Sequence, residues 1–216
     1  MNFKSVFLTG VLLFFFSAFS FSQADWTLKL NKDGIKVYTK NLDNSPFKAI
    51  KTICTLQTTL SRLAVVLLDI KGGVDWVYAT KKCDVLKQIS PLEYIYYSEI
   101  EVPWPASNRD FIVRVKLTQD EKTKAITVDG ENKPGYLPEN KNIVRIQRSD
   151  AKWFIVPLPN GQVRVEYILQ VDPGGNVPSW LINMFATRGP YESFRNLREQ
   201  VKKATYNNMN LPAIKN

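Results

Sequence analysis

The feature that most constrains this chain is a succession of alternating apolar and polar segments that ends in one long helical pattern. Six segments alternate with period two, at about residues 80–90, 93–102, 109–120, 124–131, 142–156 and 162–171. The sequence DPGGNVP then interrupts this pattern, and apolar residues recur with helical spacing to about Thr205. Short connections favour antiparallel pairing, because parallel strands need long crossovers. The order therefore predicts an antiparallel sheet followed by a long C-terminal helix.

Three more strands and one helix are predicted before residue 80. Residues 26–42 have the pattern of a hairpin that turns at Lys32-Asp33-Gly34, and residues 47–57 form a third strand. Thr59 or Ser61 is placed to cap a helix. The apolar face of that helix comprises Leu60, Leu63, Ala64, Leu67 and Leu68. Nine strands and two helices in this order predict an α+β domain in which a curved sheet wraps around the C-terminal helix.

The first 22 residues have the organisation of a secretory signal peptide. Lys4 precedes a mostly apolar run from Val6 to Phe16, and the small residues Ser20 and Ser22 precede the expected cleavage point. An uncleaved membrane anchor is the alternative, but the run is short for a bilayer span of ~20 residues. We predict export to the periplasm or secretion beyond it. The mature domain would span residues 23–208, followed by a C-terminal tail at 209–216.

The chain is basic, with a formal net charge of +9 to which the leader contributes only Lys4. Such a balance favours anionic partners. An exported protein seldom meets nucleic acid, so we expect transient contact with an anionic membrane surface and no nucleic-acid binding. A lysine-rich solvated surface without a partner is the alternative.

The chain contains no histidine. This excludes Ser-His-Asp and Cys-His catalysis and every histidine-ligated metal site, so we predict neither a metal nor a cofactor. Carboxylate, lysine and tyrosine chemistry stays open. Cys54 and Cys83 both fall in strand-like segments, and export permits a disulfide between them without requiring one.

Three motifs carry a resemblance to a known family: VDWVYATKKCDVL at 74–86, PASNRDFIVRV at 105–115 and YILQVDPGGNVPSWLINM at 167–184. They resemble motifs of the START (StAR-related lipid-transfer) domain, a member of the helix-grip superfamily, and the likeness covers about residues 26–205. It implies a helix-grip fold, with a curved nine-stranded antiparallel sheet around a long C-terminal helix and an internal hydrophobic tunnel. It also implies a monomer that carries one lipid without chemistry.

The strand that begins at Arg109 has one apolar face and one mixed face. By period two, we expect the apolar face to line the tunnel and Ile112, Arg114 and Lys116 to face solvent. A concave apolar space is the default ligand site, and removing a lipid tail from water contributes ~0.8 kcal/mol per CH₂ group. The predicted ligand-binding residues are Tyr96, Ser98, Phe111, Val113, Val115, Val165, Tyr167, Leu169, Leu181 and Phe185.

A gate is predicted where a proline-stiffened loop meets the terminal helix. The resemblance implies that the loop around Trp104 and this helix together admit the ligand. Gly189 and Pro190 are expected to kink or interrupt the helix. Arg109 and Asp110 are expected at the tunnel rim, either as a structural clasp for the loop or in contact with a ligand headgroup.

The second half of the terminal helix carries four basic residues: Arg195, Arg198, Lys202 and Lys203. We expect them to lie mostly off the apolar stripe formed by Phe194, Leu197 and Val201. In that position they would face water and attract anionic headgroups.

The favoured function at this point is lipid binding and carriage within the cell envelope. One alternative is a helix-grip enzyme of the polyketide cyclase or aromatase type, acting through Tyr94, Tyr96, Ser98 and Tyr167; a ligand-sensing module is another. Val115 stands where sterol-carrying relatives have an arginine, so the resemblance does not support a sterol ligand.

Overall fold

The structure is a computed structural model and describes residues 26–42, 47–175, 177–209 and 211–216. The predicted signal peptide lies outside the described residues. The strands are β1 Thr27–Lys32, β2 Ile35–Asn41, β3 Lys48–Gln57, β4 Thr80–Ser90, β5 Glu93–Ile100, β6 Arg109–Gln119, β7 Ile126–Asn132, β8 Val144–Arg145, β9 Arg148–Leu158 and β10 Gln162–Asp172. The α-helices are α1 Leu60–Leu68, α2 Gly73–Trp76, α3 Ser179–Asn183 and α4 Gly189–Gln200.

Nine strands form one continuous sheet in the order β1-β2-β3-β10-β9-β7-β6-β5-β4, and each neighbouring pair is antiparallel. The two-residue β8 lies off this path and pairs with β6 in parallel. The predicted strand at 142–156 is therefore two strands, because β8 and β9 pair with different neighbours. The α+β class and the nine-stranded antiparallel sheet of the helix-grip fold are confirmed.

Helix α1 begins where the sequence predicts. The side chain of Thr59 accepts a hydrogen bond from the backbone N–H of Arg62 at 3.3 Å, which satisfies one of the first-turn donors. The apolar stripe that includes Leu60, Leu63 and Leu68 is buried against the sheet. The short helix α2, at the position of the VDWVY motif, was not predicted.

The C-terminal helical segment differs from the prediction at both its middle and its end. A π-helical turn, Met184–Arg188, joins α3 to α4, and the N–H of Gly189 donates to the carbonyl of Met184. The α-helix is therefore interrupted beside Gly189-Pro190, as predicted, but by a π-helical turn rather than by an open break. Pro190 lies in the first turn of α4, where its missing N–H costs little. Helix α4 ends at Gln200 rather than near Thr205.

Two residues do not follow the expected alternation of buried and exposed side chains along their strands. Ile112 is fully buried on the outer face of β6, because the loop after β7 covers that face. There Arg145 joins Asp110, on the same face as Ile112, to the carbonyls of Pro134 and Leu137. The expectation that Ile112 faces solvent was wrong. Leu28 is half exposed, because a bulge between Leu28 and Leu30 shifts the register of β1.

The inner face of the sheet is divided into two regions. One region packs against α1 and α4 and forms the hydrophobic core, which includes Val163, Val165 and Leu197. Residues 211–216 of the C-terminal tail pack on this end, where Ile214 is buried. Beyond the core, the sheet and the terminal helical segment enclose a cavity. No helix in the described parts of the chain is long and apolar enough to cross a membrane.

Candidate functional site

The cavity between the inner face of the sheet and the terminal helical segment has a volume of about 340 Å³. Its wall is mainly apolar and is built from strands β3 to β7, β9 and β10, from α1 and α2, and from α3 to α4. This volume falls within the range of ~300–1,000 Å³ that is usual for small-molecule sites. A sheet curved around a single helix has more inward apolar surface than the helix covers, and the cavity is the space that results.

Nine of the ten predicted ligand-binding residues lie in the cavity wall: Tyr96, Ser98, Phe111, Val113, Val115, Tyr167, Leu169, Leu181 and Phe185. Val165 does not. It shares the inward face of β10 with Tyr167 and Leu169 but pairs with Cys54 of β3 and Ile155 of β9, within the packed core. The alternation of β10 correctly indicates the inward face, but it does not indicate where the core ends and the cavity begins.

An aromatic cluster that sequence reasoning did not identify lies where the cavity meets the core. The ring of Trp153 lies 4.5 Å from that of Tyr167 and 5.3 Å from that of Phe194, centroid to centroid. Trp76 packs edge-on against Trp153 at 6.2 Å. All four residues line the cavity. Two sequence features could have predicted this cluster. Trp153 stands at an inward-facing position of the alternating strand β9, and Trp76 is the tryptophan of the VDWVY motif.

Several polar groups interrupt the apolar wall. The Cys83 thiol and the Ser98 hydroxyl lie 3.4 Å apart. Burial raises the pKa of the Tyr96 and Tyr167 phenols, and the nearby Cys83 adds a smaller effect at Tyr96. Burial likewise raises the pKa of the Cys83 thiol. These groups therefore stay protonated at neutral pH, where they can donate hydrogen bonds but are poor bases or nucleophiles.

Arg109 joins the loop before β6 to the turn after β10. Its guanidinium donates to the carbonyls of Ser107 at 2.5 Å, Pro173 at 3.3 Å and Gly174 at 3.4 Å, and its side chain lines the cavity. Gly174 adopts φ +65°, a conformation that favours glycine, and so accounts for part of the DPGG motif. The arrangement is that of a clasp between two loops.

Asp110 was expected to hold the loop around Trp104, but it holds a different loop. Its carboxylate accepts from Arg145 at 2.7 and 3.1 Å, and both side chains are almost completely buried. Arg145 also donates to the carbonyls of Pro134, Leu137 and Pro138. Asp110 therefore holds the loop after β7 and is absent from the cavity wall, because it points to the opposite face of β6 from Phe111.

The predicted gate residues flank the cavity in two ways. Trp104 is 90% exposed at the tip of its loop, and a small depression next to it is lined by Tyr78, Val102 and Met184, among others. Gly189 and Pro190 are buried, and both contribute to the cavity wall. The loop and the π-helical turn are thus neighbours at one side of the cavity.

Arg195, Lys202 and Lys203 are exposed and Arg198 is half-buried, but none of the four basic residues is free. Arg195 pairs with Glu192 at 2.6 Å, Lys202 with Glu199 at 2.8 Å and Lys203 with Asp75 at 2.8 Å. Arg198 donates to the carbonyl of Asp33 at 2.9 Å. Three carboxylates therefore offset most of the charge on which the expected attraction to anionic headgroups depends.

Cys54 and Cys83 are both free thiols, one in the core and the other in the cavity wall. Within residues 26–42, 47–175, 177–209 and 211–216, no group of three or more Cys, Asp and Glu side chains is arranged to hold a metal ion.

Comparison with known proteins gives consistent matches over most of the chain. The model of the START domain family matches residues 15–206. An uncharacterized protein of Pseudomonas aeruginosa is 32% identical over 181 residues, covering 83% of this chain and 88% of that protein. The phosphatidylcholine transfer protein of Bos taurus is 27% identical over 173 residues, covering 78% of this chain and 80% of that protein.

Among solved structures, the STAR-related lipid transfer protein of Xanthomonas axonopodis superposes with a TM-score of 0.76 at 32% identity. The match covers 82% of this chain and 99% of that structure. The human StAR-related lipid transfer protein 5, at 19% identity and a TM-score of 0.69, shares the fold. From the family match over residues 15–206 and these relatives, this chain belongs to the START domain family.

Proposed function

We propose that this protein binds one lipid in the cavity between its sheet and its terminal helical segment, and carries it within the cell envelope without chemical conversion. The observation that carries the proposal is the cavity itself, of about 340 Å³ and with a mainly apolar wall. Each CH₂ group transferred from water into such a space contributes ~0.8 kcal/mol. The names of two similar proteins, a phosphatidylcholine transfer protein and a STAR-related lipid transfer protein, support the same role.

The charged groups in the cavity wall support carriage rather than catalysis. They are Lys48, Asp69 and Arg109. Asp69 accepts hydrogen bonds from the Tyr206 hydroxyl and the Gly72 N–H, and Arg109 is engaged with backbone carbonyls. A cyclase would need a general acid and base next to its substrate. Burial raises the pKa of Tyr96 and Tyr167, two of the residues of the alternative enzyme, which makes them poor bases, and we therefore favour the carrier.

The proposal also includes where the protein acts in the cell and that it contacts a membrane. The leader-like N-terminus supports export to the periplasm or beyond, and the positive net charge of +9 supports transient contact with an anionic membrane. The exposed Trp104 suits a membrane interface, where aromatic side chains collect. A monomer suffices for this function, because a single chain forms the whole cavity.

The test is transfer of a fluorescent phospholipid from donor to acceptor vesicles. Catalytic amounts of the protein should speed transfer well above the spontaneous rate. Val115→Arg places a charge in the cavity wall, at a cost of several kcal/mol if the charge is unpaired, and should abolish the acceleration while the far-UV spectrum stays native. Thr118→Arg, on the exposed face of the same strand, is the matched control and should transfer normally. No acceleration by the wild-type protein with any phospholipid class would contradict the proposal.

A further inference from the structure

The cavity contains a group of hydrogen-bond donors that an entirely apolar ligand would not need. Tyr96 of β5 and Tyr167 of β10 bring two phenol groups into the wall, and Cys83 and Ser98 lie beside Tyr96 on the paired strands β4 and β5. Across the described part of the chain, neither phenol hydroxyl hydrogen-bonds to another residue. The Cys83–Ser98 contact, at 3.4 Å, joins only those two side chains.

Two further polar atoms of the same wall are buried without a partner. They are Nε1 of Trp76 and the hydroxyl of Thr80. Trp76 is only 7% exposed, and its indole N–H can donate but never accept a hydrogen bond. Buried polar groups in folded proteins are nearly always hydrogen-bonded, so each exception needs a reason. Both atoms have almost no accessible surface, so a ligand in the cavity does not reach them. The hydroxyls of Tyr96 and Tyr167 are not enclosed in this way, and they are the unpaired donors to which a ligand can supply an acceptor.

The charges of the residues around the donors indicate whether the acceptor is neutral or charged. Tyr96, Tyr167, Trp76, Ser98 and Cys83 are neutral, and burial raises the pKa of both phenols so that they remain donors at neutral pH. A buried anion would need a cation beside it. The two cations of the cavity wall lie away from the phenols. Lys48 is four residues along β3 from Thr52, the partner of Tyr167, and Arg109 is four residues along β6 from Val113, the partner of Tyr96, a separation of about 13 Å along each strand.

We propose that Tyr96 and Tyr167 bind an uncharged oxygen acceptor of the ligand, such as an ester or ketone carbonyl, within the cavity. The inference rests on the proposed function, because it specifies which hydrophobic molecules the cavity selects. Long-chain esters and ketones are favoured over hydrocarbons of equal length. A free carboxylate in the same position is disfavoured, because no cation is available there to offset its charge.

The experiment compares a long-chain ketone with the alkane of the same chain length. Each displaces the neutral dye N-phenyl-1-naphthylamine from the cavity, and the ratio of ketone to alkane affinity is measured for each protein. Differences in water solubility between the probes cancel when this ratio is compared between variants. Two hydrogen bonds of ordinary strength predict that the ratio falls about tenfold in Tyr96→Phe/Tyr167→Phe.

Tyr94→Phe is the matched control. Tyr94 lies two residues before Tyr96 on β5, but its hydroxyl accepts from the side-chain amide of Gln88 at 3.0 Å and it is absent from the cavity wall. This variant should leave the ratio unchanged. In addition, the infrared carbonyl stretch of bound ¹³C-labelled ketone should move to higher frequency in the double variant, because its hydrogen bonds are lost.

The possible results separate the inference from the proposed function. If both probes bind but the ratio and the carbonyl frequency are the same in wild type and double variant, the inference is overturned and the lipid-binding function stands. If neither the dye nor either probe binds the wild-type protein, the proposed function fails and the inference fails with it.

Discussion

The buried ion pair between Asp110 and Arg145 shows how one residue can matter for the fold without touching the cavity. The Asp110 side chain lies on β6, and the Arg145 guanidinium connects it to three carbonyls of the loop that covers the outer face of the sheet. The hydrogen bond to Asp110 raises the pKa of Arg145, so the guanidinium stays charged under all ordinary conditions. The Arg-Asp element of the family motif therefore holds loops together through both of its residues.

Arg145→Leu should destabilise the protein by about 3–5 kcal/mol, because it leaves the Asp110 carboxylate buried and unpaired. Arg148→Leu is the matched control. Arg148 pairs with Asp172 at 2.8 Å, but its side chain is 83% exposed, and such surface pairs contribute about 0–1 kcal/mol. Urea unfolding measures both free energies, and a loss below about 1 kcal/mol for Arg145→Leu would show that the pair is dispensable.

Tyr206 should make the protein sensitive to alkaline pH. Burial, aided by the hydrogen bond to Asp69, raises the pKa of Tyr206 from 10.0 to about 12. The folded state thus keeps this proton to higher pH than the unfolded state does. The resulting stabilisation is complete below pH ~10 and is lost as the pH rises toward ~12.

The measurement is the free energy of unfolding across this range. Tyr206→Phe lowers stability at neutral pH, because Asp69 and Gln200 lose their partner, but it should make the decline above pH 10 shallower. Tyr136→Phe, at an exposed position, should change neither the stability at neutral pH nor the slope of its decline above pH 10. An equally steep decline in Tyr206→Phe would mean that other groups control the alkaline limit.

Among the elements, the π-helical turn Met184–Arg188 is the place where the terminal segment should open. It lies beside the Trp104 loop and carries Phe185, which lines the cavity. Helix α4 is anchored in the core by Phe194 and Leu197, whereas no residue of the turn is buried. Hydrogen exchange should be faster at amides 184–188 than at 194–200, and faster still with phospholipid vesicles. Equal protection of the two stretches would exclude this turn as the gate.

The strands β1 and β2 should contribute more to contact with anionic membranes than the paired charges of α4. Lys29, Lys36 and Lys40 take part in none of the ion pairs found among the described residues. Each basic residue close to such a surface contributes ~1 kcal/mol. Replacing all three by Gln should sharply reduce binding to anionic vesicles in a co-sedimentation assay at low salt.

The control removes whole ion pairs from α4 and the residues directly after it, and it leaves the net charge unchanged. Glu192→Gln/Arg195→Gln and Glu199→Gln/Lys202→Gln should bind these vesicles as the wild type does. If the pair variants lose binding and the lysine variant keeps it, the terminal segment is the contact after all, as the sequence alone had indicated.

Periodicity predicted the elements well, because each strand and helix has one face that must be buried. It placed β4, β6 and β10 within one or two residues, and it gave Thr59, the observed cap of α1, as one of two candidates beside Ser61. The π-helical turn could not be predicted, because Gly189-Pro190 is compatible both with a break and with the first turn of a new helix. The pairing of Asp110 with Arg145 was also out of reach, because it depends on a parallel contact between β6 and β8.

At the scale of the whole molecule, one sheet serves two purposes. The end bounded by α1, α4 and the C-terminal tail is closely packed and supplies stability, and the other end encloses the cavity. Strand β10 belongs to both, with Val163 and Val165 in the core and Tyr167 and Leu169 at the cavity. The two regions share residues such as Trp76, Val115 and Phe194 at their boundary. Changes at the end of the cavity far from this boundary can therefore alter ligand choice with little effect on folding.

The central claim is that the cavity holds a lipid, and native mass spectrometry of protein purified from its own host tests it most directly. The spectrum should show one bound molecule per chain, which solvent extraction releases and which is identified as a lipid of unaltered structure. Val115→Arg, purified in the same way, should appear without it. A wild-type protein that carries no lipid, or that carries a chemically converted product, would contradict the account.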